Sequence, residues 1–141
     1  MKTLLGRIGV IFVVLLILGC AEVWGANWKF YGESEFGKYY YDLESIDRLS
    51  RNLIRVSAKE IASPKAVLDI VDKLGEEYGN LEEVISFYEI DCKTKQFNLL
   101  MRVFYSKSHS IIDSFNFSDV AKWDSIIPGS AVGDLSKVVC E

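Results

Sequence analysis

Three cysteines divide this chain, and their placement limits its fold more than any other feature. Cys20 closes a greasy N-terminal run, Cys92 ends a strand-like segment in the middle, and Cys140 is the penultimate residue. An odd count in an exported protein leaves one thiol to account for. Here the set separates into one cysteine that belongs to export or anchoring and two that can pair with each other.

Export is read from the N-terminus. Lys2 and Arg7 form a basic start, and Ile8 to Leu18 is an apolar stretch broken only by Gly9. A transmembrane helix needs about 20 apolar residues, so this stretch reads instead as the core of a secretory signal peptide. Two cleavage sites compete. Ile17-Leu18-Gly19-Cys20 resembles a lipobox, in which case residues 1–19 are removed and Cys20 carries the lipid. Val23-Trp24-Gly25 offers small residues for ordinary cleavage, in which case 1–26 is the signal peptide and Cys20 goes with it. Either way, 27–141 is expected to be one domain.

Charge narrows the partners. The whole chain carries −4, and losing Lys2 and Arg7 makes the exported part more acidic still. Nucleic acid calls for a basic face, and a grip on anionic lipid calls for a polybasic one. Neither is present, so contact with a membrane is expected only through an N-terminal lipid.

The exported part reads as short strands with one helix inside and one at the end. Trp28 to Gly32, Lys38 to Asp42 and Asn52 to Ile61 alternate or are rich in aromatic and β-branched residues. Ser63-Pro64 announces a helix, because serine caps the free amides and proline at the first position forfeits no bond. Ala66, Val67, Ile70, Val71, Leu74 and Tyr78 then recur at helical spacing, with Gly79-Asn80 as the expected stop. Glu83 to Cys92, Gln96 to Tyr105 and Ser110 to Phe117 follow as strands, joined by short polar turns and therefore expected to be antiparallel neighbours. Strict alternation puts Phe97, Leu99, Met101 and Val103 on one face.

Ser130 is the expected cap of a last helix whose apolar stripe is Val132, Leu135 and Val139, with Cys140 at its edge. A helix so short is marginal alone and has to be docked. A bridge from Cys140 to Cys92 would staple it to the sheet. The other arrangement, two buried free thiols, fits an oxidising compartment poorly.

Catalytic constellations are scarce. His109 is the only histidine and lies in a polar turn among Ser106, Ser108 and Ser110, with no nucleophile-elbow sequence nearby. A structural zinc needs four nitrogen or sulfur ligands, which one histidine and two paired cysteines do not supply. The acidic pairs Glu76-Glu77 and Glu82-Glu83 read as solvated surface. No cofactor, metal or catalytic residue is expected, and the chain is read as a non-enzyme. Aromatic residues are the remaining unusual feature. Tyr39, Tyr40 and Tyr41 in succession have to point to both faces of a strand, and Tyr31, Phe36, Tyr39 and Tyr41 are the candidate binding patch; tyrosines at the rim of a thin core are the plainer alternative.

The whole exported part resembles the bacterial surface-adhesin protein E family. Trp28 to Ser34 is similar to its opening strand, Tyr40-Tyr41-Asp42 with Glu44-Ser45-Ile46 and Arg48 to its second block, and Ile54-Arg55-Val56 with Lys59 to its third. Tyr88 to Cys92 resembles its central cysteine strand, and Trp123, Ile126, Pro128-Gly129-Ser130, Leu135 and Val139-Cys140 its closing segment. Ser106 to His109 departs from the family's usual Asp-x-x-Gly turn, and Ser57 stands where the family often has an aromatic.

The resemblance implies an α+β fold: an antiparallel sheet of about six strands, one internal helix, and a C-terminal helix disulfide-bonded to the sheet. It also implies display on the cell envelope and binding of host matrix and serum proteins such as laminin and vitronectin. The expected role is therefore protein binding, on the cell surface or in the periplasm, by a sheet face or a strand edge. The partner would be a matrix protein, another envelope protein or a second copy forming a homodimer. A periplasmic structural or assembly factor without adhesive function is the alternative.

Overall fold

The computed structural model of the chain describes residues 26–120 and 122–141. The export segment, with both cleavage readings and Cys20, lies outside the described residues. Six strands run side by side in the order β1 (Trp28–Ser34), β2 (Gly37–Asp42), β4 (Leu53–Ala62), β5 (Leu81–Asp91), β6 (Gln96–Ser106) and β7 (Ile111–Asn116), all neighbours being antiparallel. Two-residue strands extend this sheet, β3 (Asp47–Arg48) on β4 and β8 (Asp124–Ser125) on β6. The helices are α1 (Pro64–Leu74) and α2 (Ala131–Val139). The expected α+β architecture is thus observed.

Both helices start where their capping residues stand. The Ser63 hydroxyl accepts the amide of Ala66 at 3.2 Å, and the Ser130 hydroxyl accepts that of Gly133 at 3.0 Å. α1 ends one turn earlier than its apolar spacing predicts. Gly75, at φ 122°, reverses the chain after Leu74, and Glu76–Asn80 forms a tighter turn. Tyr78 still reaches the core, but from that turn rather than from the helix stripe. Its hydroxyl donates to Asp113 at 2.9 Å.

Both helices lie on one face of the sheet. α2 brings Leu135 and Val139 onto Val56, Ala58, Tyr88 and Ile90. At the other end, α1 and the turn after it cover Val84 and Phe104 with Val67, Ile70, Val71 and Tyr78. Since Val84, Tyr88 and Ile90 have the same parity on β5, the two clusters share a face.

The alternation expected along β6 breaks in the middle. Tyr88 pairs with Leu99 but Phe87 with Met101, which leaves Leu100 as a bulge. A bulge of one residue moves every later side chain to the opposite face. Phe97 and Leu99 therefore pack against the α2 core, whereas Arg102 and Phe104, not Met101 and Val103, continue that face.

The β1–β2 hairpin depends on one glycine. Gly37 has φ 155° and pairs with Ala62; a Cβ there would stand 2.2 Å from the main-chain oxygen of Ile61. Gly37→Ala is expected to cost about 2 kcal/mol, since backbone has to move to admit the methyl. Gly79→Ala, where a Cβ meets nothing within 4 Å, serves as the control and is expected to change stability by less than about 0.5 kcal/mol. Urea midpoints of the two variants test this, and equal losses would show that the hairpin tolerates the clash.

Candidate functional site

The four aromatic residues singled out in the sequence do not form one patch. Tyr39 and Tyr41 alternate onto the helix-bearing face of β2. Tyr31 lies on that same face because it follows Phe30, which points to the other one, and since Phe30 pairs with Tyr40 and Gly32 with Tyr39 it has no direct partner across the strands. It stacks on Tyr39 with centroids 5.9 Å apart and tilts against Tyr41 at 6.2 Å. Tyr31 and Tyr41 also pack on the α2 core. Phe36 sits apart in the β1–β2 turn, under the Lys65 ammonium at 5.4 Å.

Tyr31 and Tyr39 border a polar seam between the two cores. The Arg102 guanidinium donates to Ser86 at 3.1 Å and to the Tyr88 hydroxyl at 3.3 Å. Burial pushes the Glu60 carboxyl up from its ordinary range, partly offset by the charge of Arg102. Burial likewise pushes the Tyr31 phenol up, so it stays a neutral hydroxyl. The space left here is about 40 Å³, room for water rather than for a ligand. Neither Glu60 nor Arg102 was singled out in the sequence, because only the bulge at Leu100 turns Arg102 inward. The seam is structural.

The opposite face has a different character. Neither α1 nor α2 covers it, although Val103 within it is only 7% exposed. One row across the strands reads Phe30, Tyr40, Lys59, Ile85 and Val103, and the next contains Ser57, Phe87 and Met101. Phe30 meets Tyr40 edge to face at 5.6 Å. The Lys59 ammonium lies 4.5 Å from the Trp28 ring centroid and 5.4 Å from that of Tyr40. Phe30 is 54% exposed and Phe87 36%. The face thus offers flat aromatic anchors around a cation held between two rings, the residue types favoured at protein interfaces. The Tyr39-Tyr40-Tyr41 run pointed here by requiring both faces to carry tyrosine. Which face would be left open was not readable from it.

The lone histidine has no catalytic setting. His109 occupies a left-handed turn position at φ 62°. The Ser106 hydroxyl pairs with those of Ser108 and Ser110, each at 2.8 Å, rather than with the imidazole. Among the described residues, no group of three His, Cys, Asp or Glu side chains could hold a metal ion, and no helix is long and apolar enough to cross a membrane.

Comparison with known proteins returns one family. The sequence model of surface-adhesin protein E matches residues 28–141. Among solved structures, crystal form II of Haemophilus influenzae protein E is 15% identical over 72% of this chain and 79% of that one, with a TM-score of 0.49. Protein E from non-typeable Haemophilus influenzae is 13% identical over 79% of this chain and 74% of that one, also at 0.49. No curated protein matches the chain.

Proposed function

This chain belongs to the surface-adhesin protein E family, and on that footing we propose that it is an exported envelope protein that acts by binding another protein, without catalysis. The exported domain is 27–141. The bridge between Cys92 and Cys140 suits an oxidising compartment, where such bonds persist. Cleavage either before Cys20, leaving a lipid anchor, or after residue 26 delivers it there. The observation that carries the binding reading is the uncovered sheet face with Phe30, Tyr40, Lys59 and Phe87 on it. The outer edge of β7 adds a second mode, in which a strand of a partner or of a second copy joins the sheet.

The test uses cells displaying the protein and surfaces coated with laminin or vitronectin. Replacing Tyr40 and Phe87 together by alanine is expected to weaken attachment about tenfold or more, the scale of losing central aromatic anchors. Lys73→Ala, at an exposed ion pair on α1, leaves attachment unchanged. Attachment unaffected by the double substitution would overturn the role of this face. Failure of the parent protein to attach to either coat would overturn matrix proteins as its partners. Protease treatment of intact cells removes the domain if it is displayed outside.

A further inference from the structure

At the disulfide end of the open face lies a groove with a different composition. Its floor is one row of the sheet, Leu53, Asp91 and Gln96. Ser50 and Asn52 flank it from the turn before β4, Lys93 from the turn after β5, and Trp123 from the segment entering β8. The groove is open and shallow, with a volume of about 460 Å³, within the roughly 300–1,000 Å³ of small-ligand sites.

Two properties define what it can hold. First, Trp123 is a fixed platform. β8 holds it through the pairs of Asp124 with Phe97 and Ser125 with Gln96, and the Ile126 amide donates to the carbonyl of Lys95 at 2.9 Å. The Trp123 residue is nonetheless 40% exposed. Second, the polar groups around it are uncommitted. Among the described residues, the side chains of Ser50, Asn52, Lys93 and Gln96 hydrogen-bond to no other protein group. The Asp91 carboxylate is oriented by the amides of Lys93 and Thr94, each at 3.0 Å from one oxygen. The amide of Thr94 above all holds this carboxyl below its usual range, so it remains an acceptor.

An exposed indole beside two planar amides, a hydroxyl and an oriented carboxylate suits a ligand with an apolar face and a rim of hydroxyls. A pyranose has that form: its axial C–H groups lie on the ring and its equatorial hydroxyls reach the amides and the carboxylate. At the groove Lys93 offsets Asp91, and phosphate-rich ligands are opposed by the acidic balance of the chain. A purely apolar ligand finds no depth here and would strand the amides. We propose that this groove binds a saccharide, one pyranose stacked on Trp123 with its hydroxyls bonded to Asn52, Gln96 and Asp91. The site is separate from the aromatic row proposed to bind protein and does not depend on that reading.

N-acetylated sugars come from host glycans or from the bacterial wall, and two probes distinguish them. The purified protein, labelled with ¹⁵N, is titrated with N-acetyllactosamine and separately with the N-acetylglucosamine–N-acetylmuramic acid disaccharide. At least one is expected to move the Trp123 indole N–H and the backbone amides of Asn52 and Gln96 saturably, with a dissociation constant of about 1 mM or tighter. The responding probe identifies the source. Trp123→Ala is expected to weaken the response of those amides at least about tenfold while the rest of the spectrum is unchanged, and Trp123→Phe to retain part of it. Absence of a saturable shift with both sugars up to about 50 mM, an undiminished response in Trp123→Ala, or binding of AMP in place of either sugar would overturn the proposal.

Discussion

Replacing Cys92 and Cys140 together by alanine lowers the unfolding free energy by about 4 kcal/mol. The two residues are 48 positions apart, with Cα atoms 5.7 Å from each other. Chain-entropy reasoning for a closed loop of that length gives the figure, through the freedom restored to the unfolded chain. A domain of this size is stable by about 5–15 kcal/mol, so about a quarter or more is removed, and the melting temperature should fall by about 15 °C. The bridge also has a local task. α2 has nine residues, too few to persist undocked. It covers Val56, Ala58 and Ile90, which lie open once it leaves. Urea unfolding of the parent and the double variant, with slopes compared, measures the loss. A difference below about 1 kcal/mol would mean that packing alone holds the helix down.

Local chemistry was legible where one or two residues decide the outcome. Ser63-Pro64 and Ser130 start the helices because a hydroxyl in the right place satisfies an amide that has no other partner. Cys92 and Cys140 pair because a strand end and a short helix bring them together. Long-range geometry was not legible. Nothing around Leu100 marks it as the residue that β6 extrudes, yet that bulge decides that Arg102 joins Ser86 and Tyr88 rather than solvent. Nor did spacing separate Gly75 from Gly79 as the end of α1. Of the two, only Gly75 has a positive φ, and Tyr78 beyond it is buried by the turn that follows.

The binding surfaces were harder still to read. Alternation shows which residues share a face of a strand, not which face the helices will cover. Tyr39 and Tyr41 thus fall on the covered side and Tyr40 on the open one. Trp123 and Asn52 are 71 positions apart, and β8 has only two residues. No periodicity links them; the groove exists because β8 pairs with the start of β6, which lies one strand beyond the end of β5 from the start of β4.

Leu135→Ala is expected to cost about 3 kcal/mol, and its dependence on the disulfide is more informative than its size. Leu135 is fully buried, 0% exposed, at the centre of the contact between α2 and the sheet. Truncation removes three carbons from a packed site and leaves a cavity bounded by strands that cannot close in, for which buried leucines lose about 2–5 kcal/mol. If the bridge acted only on the unfolded chain, the cost would be the same with and without it. Docking predicts otherwise. Without the bridge, α2 already spends part of its time detached, and in that state Leu135 contributes little. The triple variant should therefore lose at least about 1 kcal/mol less than the summed losses of Leu135→Ala and the cysteine pair. Hydrogen exchange supplies a second readout: in the bridge-free protein the amides of α2 exchange through local opening, at rates that Leu135→Ala raises, while those of β5 still report global unfolding. Strict additivity, with α2 and β5 protected alike, would leave the bridge as a constraint on the unfolded chain alone and the apolar stripe of Val132, Leu135 and Val139 as sufficient to dock the helix.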